Sequence, residues 1–343
     1  MSFPALACPI VLAPMAGGPN TPALAAAVGN AGGLGSFGFA YSTPDRIATE
    51  LAAARALTAG PLNANFFVFR PVAPPPPDEA ARAVAALEAL PAAAGLRLAV
   101  PVPPFFPDLA PQLEPVWRLR PEVLTFHFGL PPRGVIERAH ALGISVGVTA
   151  TRATEARAIA AAGADFIVAQ GSEAGGHCGV FVQGEPGDWL PVRELVRSLQ
   201  RVTDLPLVAA GGLMSGADIR AVLDAGAEAA QLGTAFLATT ESGASAAHRR
   251  YLLAEHGRGT VLTRAFSGRY ARGIRNAFTD RMAGAHQLAF PLQNTLTAAL
   301  RKAAVERDDG EYQSLWAGAH YARCRTGSAR ELVRRLVAEL EAA

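Results

Sequence analysis

The sequence has little cysteine: three in 343 residues, at Cys8, Cys178 and Cys324. They are odd in number and far apart, so they make neither a disulfide framework nor a metal-ligand spacing, and no metal site is expected. A reducing cytoplasm suits such a chain. Charge is also sparse. Only 17% of residues are charged, and Lys+Arg 31 against Asp+Glu 29 leaves a net +2. No basic block occurs, so the electrostatic footprint of a nucleic-acid binder is missing. Membrane-length apolar runs are missing too, because Arg, Glu, Gly or Pro breaks each Ala-rich stretch. The start MSFPALACPIVLAPMAGG has no basic leader and carries Pro4, Pro9 and Pro14, which argues against a signal peptide. The expectation is a soluble cytoplasmic protein with no nucleic-acid or membrane partner. Oligomeric state is not legible.

What is present is apolar. Half the residues are hydrophobic, enough for a sizeable core. Eight short apolar runs punctuate the chain: 9–15, 34–40, 61–69, 122–129, 144–150, 165–171, 205–212 and 228–236. They are continuous rather than alternating, as in parallel strands buried on both faces. Ala-rich helical stretches such as 43–60 and 216–227 separate most of them. This order predicts an α/β fold, a (β/α)8 TIM barrel. A doubly wound sheet is the competitor, but no G-x-G-x-x-G turn follows the first run.

Two regions exceed that count. Residues 71–121 open on the stiff PVAPPPPDEA, and residues 238–343 are mostly helical. Both are read as a helical layer covering the barrel mouth, with the barrel itself in 1–70 and 122–237. Barrel active sites sit at that mouth, where a cover excludes water.

The run ends carry polar chemistry. The seventh ends in AAGG (209–212) and the eighth in QLGT (231–234). Loops at these positions commonly hold phosphate through backbone N–H groups and a helix start. Gly211, Gly212, Gly233 and Thr234 are the candidates, with ordinary tight turns as the alternative. The phosphate can belong to a sugar, a nucleotide or a flavin. Ala13, Pro14 and Met15 can form a flat bed, and Asn65 and Gln170 can supply amide contacts. Between the sixth and seventh runs lies VAQGSEAGGHCG (168–179), with four glycines around a single imidazole, His177.

Taken together, APMAGG (13–18), FHFGLP (126–131), AQGSEAGGHCG (169–179), AAGGL (209–213), QLGTAFL (231–237), FSGRYARGIRN (266–276) and LWAG (315–318) resemble the nitronate monooxygenases, formerly 2-nitropropane dioxygenases. FHFGLP and LWAG are similar to the bacterial class I type. The resemblance implies a flavin-dependent TIM-barrel enzyme. It would use FMN and O2 to convert alkyl nitronates such as propionate 3-nitronate to a carbonyl product and nitrite, through one-electron transfer to the flavin. Position by position it implies that Met15, Asn65, Gln170, Gly171, Gly175, Gly211, Gly212, Gln231, Leu232, Gly233 and Thr234 hold FMN. Gly175 and Gly176 would let the loop pass beside the ring, with the catalytic His177 over its reactive face. His127 would face the nitro group. Lys302 and Tyr312 can meet an acidic substrate tail; a solvated helix face is their bland alternative. Glu173 and Cys178 are read as loop structure. Where the family usually has Gln after LWAG, this chain has Ala319 and then His320, which bears on the substrate pocket. Two other functions stay open: an NAD(P)H-dependent reductase of quinones or enoyl thioesters, and a barrel that binds FMN or another phosphate ligand without turnover.

Overall fold

The structure is a computed structural model that describes residues 2–184, 188–254 and 257–343. Its strands are β1 (Ile10–Leu12), β2 (Gly35–Gly38), β3 (Leu62–Phe67), β4 (Val123–His127), β5 (Ser145–Ala150), β6 (Phe166–Gln170), β7 (Gly176–His177), β8 (Leu207–Ala210), β9 (Ala229–Leu232), β10 (Thr260–Thr263) and β11 (Ala271–Ile274). Eight of them pair in parallel in the order β1-β9-β8-β6-β5-β4-β3-β2. Leu12 N donates to Leu34 O at 2.9 Å and Leu34 N to Ile10 O at 3.0 Å, which closes the cylinder. Each of the eight expected apolar runs is one of these strands, and the architecture is a (β/α)8 barrel.

Alternation along the strands builds two cores. Ile10, Leu12, Leu62, Ala64, Leu124, Phe126, Val146, Val148, Ile167, Ala169, Leu207 and Ala209 face outward into the helix layer. The intervening Val11, Val123, Phe166, Val168, Val208 and Ala229 fill the lumen. Gly147 makes room there: a Cβ on it would fall 2.2 Å from the Phe166 ring. The N-terminal segment plugs the floor, with Phe3 packed edge-on against Phe166 at 5.0 Å between centroids.

Helices α1 (Pro22–Asn30), α2 (Pro44–Leu57), α3 (Pro77–Glu88) and α4 (Leu109–Leu119) lie between the first four strands. α5 (Arg133–Ala141), α6 (Ala153–Ala161), α7 (Val192–Gln200) and α8 (Gly216–Leu223) follow, and α9 (Ala246–Leu252), α10 (Ala277–Arg281), α11 (Leu292–Leu296), α12 (Ala298–Glu306) and α13 (Ala329–Glu341) come after β9. α1 and α2 start where Thr21 and Thr43 cap the chain ahead of a proline. Among the described residues no helix is long and apolar enough to cross a membrane.

The division of helices differs from the expectation in two places. Leu113, Val116 and Trp117 of α4 and Leu332, Val333 and Leu336 of α13 belong to the barrel's own outer core. Hence α4 is the barrel's third helix and α13 its last, although they lie in the stretches read as cover. The second core is built from α3 (Ala83, Leu87) and the chain between 265 and 312, including Phe266, Phe278, Leu292 and Leu300. Between Leu288 and Leu292 of that core, Phe290 reaches the mouth, 5.4 Å from Phe128 just after β4. A small antiparallel sheet, β10-β11-β7, ties this layer to the loop after β6.

Candidate active site

Lumen-facing positions turn polar toward the C-terminal strand ends. On β3 and β4, Asn63, Asn65 and Thr125 are buried, and Thr125 Oγ1 stands 3.0 Å from both Asn65 Nδ2 and Asn63 Oδ1. His127 ends β4. Its Nε2 lies 3.2 Å from the His177 carbonyl and its Nδ1 3.0 Å from Thr149 Oγ1. A carbonyl only accepts, so Nε2 carries the proton and Nδ1 accepts from Thr149. Both nitrogens are thereby committed. His127 thereby braces the His177 loop from the end of β4.

His177 sits on β7, paired antiparallel with Ala271 of β11. Gln170 clasps the same loop: Nε2 donates to His177 O at 3.0 Å and Oε1 accepts from Gly179 N at 2.7 Å. The His177 ring stands among Phe67, Phe128, Phe290 and Trp316, at 5.6–6.0 Å between centroids. Its Nε2 is 2.9 Å from Ser267 Oγ.

The glycines earn their conformational cost by close approach to protein. A Cβ on Gly171 would lie 2.5 Å from Val192 N, one on Gly175 2.5 Å from Gly318 N, and one on Gly179 2.8 Å from His127 Cε1. Only Gly176 has open space, and there φ is +74°. On its Cβ side Gly175 is therefore closed against the 317–318 backbone. Glu173 accepts from Val192 N at 3.0 Å and caps the start of α7, the loop role read from sequence.

Arg269 is 5% exposed, and its guanidinium lies 3.7 Å from the Phe128 ring centre. Its Nε donates to Cys178 O at 3.4 Å and its Nη2 to Val180 O. No carboxylate pairs with it among the described residues. Arg301 on α12 is similar, bonded to Thr297 Oγ1 and to the carbonyl and side chain of Asn294. Both guanidiniums act on the Tyr41 hydroxyl, and Arg269 lines a cavity with Phe128, Phe290 and Arg70. Burial first, then the Arg269 charge, holds His177 down to about 3; His127 and Arg301 add to it. His127 is held at about 3 by burial and Arg269. Both imidazoles are neutral at pH 7. Burial pushes the Cys178 thiol up to about 12, so it is not a nucleophile.

A second cluster forms where the β6, β8 and β9 loops meet residues 317–320. The N–H groups of Gly211, Gly212 and Gly233 find no acceptor among the described residues. Gly211 and Gly212 have φ of +135° and +70°. Thr234 Oγ1 accepts from Gly318 N at 2.9 Å, which leaves its O–H to donate. Donors without acceptors, bare of side chains, suit a phosphate. The α8 start does not join them, since Asp218 and Glu339 take Met214 N and Gly216 N at 2.9 Å. Met15 packs beside Gly233, and the Gln231 amide makes no hydrogen bond among the described residues. Leu232 faces the helix layer, so only its backbone is near the mouth.

Three expectations are displaced. Lys302 is 79% exposed and pairs with Glu306 at 3.8 Å. Tyr312 is buried in the second core against Phe278. Ala319 is exposed at the phosphate end, where His320 Nδ1 donates to Gly212 O at 2.9 Å, not in the His177 pocket. Sequence reasoning missed Ser267, Arg269, Arg301, Phe290 and Trp316. For Arg301 the signal existed: Thr297, Leu300 and Ala304 are buried, and that helical phase turns 301 inward and 302 out.

The nitronate monooxygenase family model matches residues 4–339. The chain belongs to that family. It is therefore an enzyme, an oxidoreductase. Nitronate monooxygenase of Pseudomonas aeruginosa is 43% identical over 342 residues, covering 97% of this chain and 96% of the relative. The crystal structure of nitroalkane oxidase from Streptomyces ansochromogenes superposes with a TM-score of 0.92 at 41% identity, covering 98% of this chain and 97% of that one. FabK from Thermotoga maritima is more distant, with a TM-score of 0.75 at 26% identity over 98% and 94% of the two chains.

Proposed function

We propose that the enzyme oxidises alkyl nitronates with O2 to a carbonyl compound and nitrite, with FMN as its cofactor. The observation that carries the reading is a neutral, caged imidazole at a barrel mouth whose far side offers unpaired N–H groups for a phosphate. The donor set fits FMN. Gly211, Gly212, Gly233 and Thr234 would hold the phosphate, with Met15, Asn65, Gln170, Gly171, Gly175, Gln231 and the Leu232 backbone nearer the ring. When bound, FMN supplies the electron acceptor that side chains lack. The protein's share is positioning, charge and exclusion of water. Phe67, Phe128, Phe290 and Trp316 keep the pocket dry. Arg269 and Arg301, which have no carboxylate partner among the described residues, supply the positive field for an anionic nitronate and for a carboxylate on its tail. Neutral His177 can take the α-proton of a nitroalkane and so generate the nitronate in place. The cytoplasm is the proposed setting.

The purified enzyme given propionate 3-nitronate in air should consume O2 and release nitrite, with FMN as the cofactor freed on denaturation. Reduction of a quinone or an enoyl thioester by NADH, with no nitrite from the nitronate, would replace this reading by the reductase one.

A further inference from the structure

Ser267 is 1% exposed, and its hydroxyl makes three polar contacts among the described residues. Its Oγ lies 3.1 Å from Arg269 O, 3.3 Å from Arg269 N and 2.9 Å from His177 Nε2. A hydroxyl has one donor and two acceptor sites. The carbonyl can only accept and the backbone N–H can only donate. Ser267 therefore gives its proton to Arg269 O, which has no other donor among the described residues, and accepts from Arg269 N–H. One acceptor site is left for His177, so Nε2 must carry the ring proton. Rotating the hydroxyl toward His177 would orphan a buried carbonyl.

The turn cannot readily move. Gly268 has φ of +85°, and a Cβ on it would fall 2.3 Å from Leu288 O. The same contact seats Phe290 against His177. His177 Nδ1 has no partner among the described residues, yet it is not among the buried orphaned atoms, so it opens on accessible space.

We propose that Ser267 is a positioning residue that locks His177 in its Nε2–H tautomer and makes Nδ1 the atom that accepts the substrate proton. The step rests on the function proposed above. The Cα–H bond of a nitroalkane breaks, its electron pair moves into the nitro group to give the nitronate, and the proton goes to Nδ1. The resulting imidazolium faces the anion it has just made.

The test is nitrogen-15 NMR of the histidine rings in the purified enzyme, with His177 assigned by its loss in His177→Asn. The expected pattern is a protonated, pyrrole-type Nε2 and a pyridine-type Nδ1. Ser267→Ala should mix or reverse the tautomers and lower kcat with a nitroalkane ~10- to 100-fold, with a change of less than about 3-fold on preformed nitronate. Ser267→Thr keeps the hydroxyl and should restore both. A wild-type ring protonated at Nδ1, or an unchanged pattern in Ser267→Ala, overturns the proposal. If the alanine variant does not fold, the wild-type pattern and the threonine variant decide it. The spectrum requires no turnover, so an enzyme inert toward nitronates would sink the function and still leave the tautomer to be read.

Discussion

The two ends of the barrel lumen are built from the same strands yet obey different rules. At the floor, Val11, Val123, Phe166 and Val208 are apolar and close-packed, and the Phe3 ring seals them. At the mouth the same inward register presents Asn65, His127, Thr149 and Gln170, covered by Phe290, Trp316 and two arginines that have no carboxylate partner among the described residues. The floor lowers free energy by burial. The mouth holds unpaired charge and a depressed imidazole, arrangements that cost stability. Stability resides at one end of the lumen and the candidate chemistry at the other.

Breaking the floor should be the larger effect on folding. Phe166→Ala removes a ring that spans the lumen over Gly147, and it should cost ~3–5 kcal/mol in urea unfolding. Breaking the mouth should do the reverse. His177→Asn should lower kcat with nitroalkanes about 10²- to 10⁴-fold while flavin stays bound and Tm barely moves. Loss of flavin instead would mean that His177 is part of the cofactor's support.

Charge at the mouth gives a smaller and more selective effect. Arg301→Met should raise KM roughly 10-fold for a nitronate with a carboxylate tail, and little for an uncharged one. Stability should hold or rise, because a half-buried guanidinium with no carboxylate partner among the described residues is removed. Lys302→Ala, one residue along, should change KM less than about 2-fold, since that side chain lies in solvent.

Acid sharpens the contrast further. With His177 and His127 held at about 3 in the fold against 6.5 ordinarily, the unfolded chain binds more protons between those values. Stability present above pH 6.5 is therefore lost as pH falls toward 3, while the base stays neutral throughout. Thermal melts should drop below pH 6.5, and nitroalkane deprotonation by the surviving folded enzyme should show no acid limb between pH 5 and 8.

The barrel was legible because buried parallel strands are continuous apolar runs, and all eight stand out. α7 is masked by the glycine loop before it, although Val192, Leu195, Val196 and Leu199 carry helical spacing. α4 and α13 read as cover in the sequence because a Pro-rich insertion and a long C-terminal stretch hide which helix returns to the barrel. At the site, His177 and the glycine pairs were visible as motifs at strand ends. Ser267 and Arg269 stand inside the FSGRYARGIRN motif, but their roles are not legible there, since these are a hydrogen bond across 90 residues and a guanidinium over a distant ring. Lys302 and Tyr312 stand out by residue type alone, which says nothing about the direction a side chain takes from the backbone.

The most direct test is the anaerobic absorption spectrum of the purified enzyme, with propionate 3-nitronate in one cuvette and NADH in another. The account predicts a flavin spectrum that changes with the nitronate and is unmoved by NADH. Bleaching by NADH alone, or no flavin absorption at all, would contradict it.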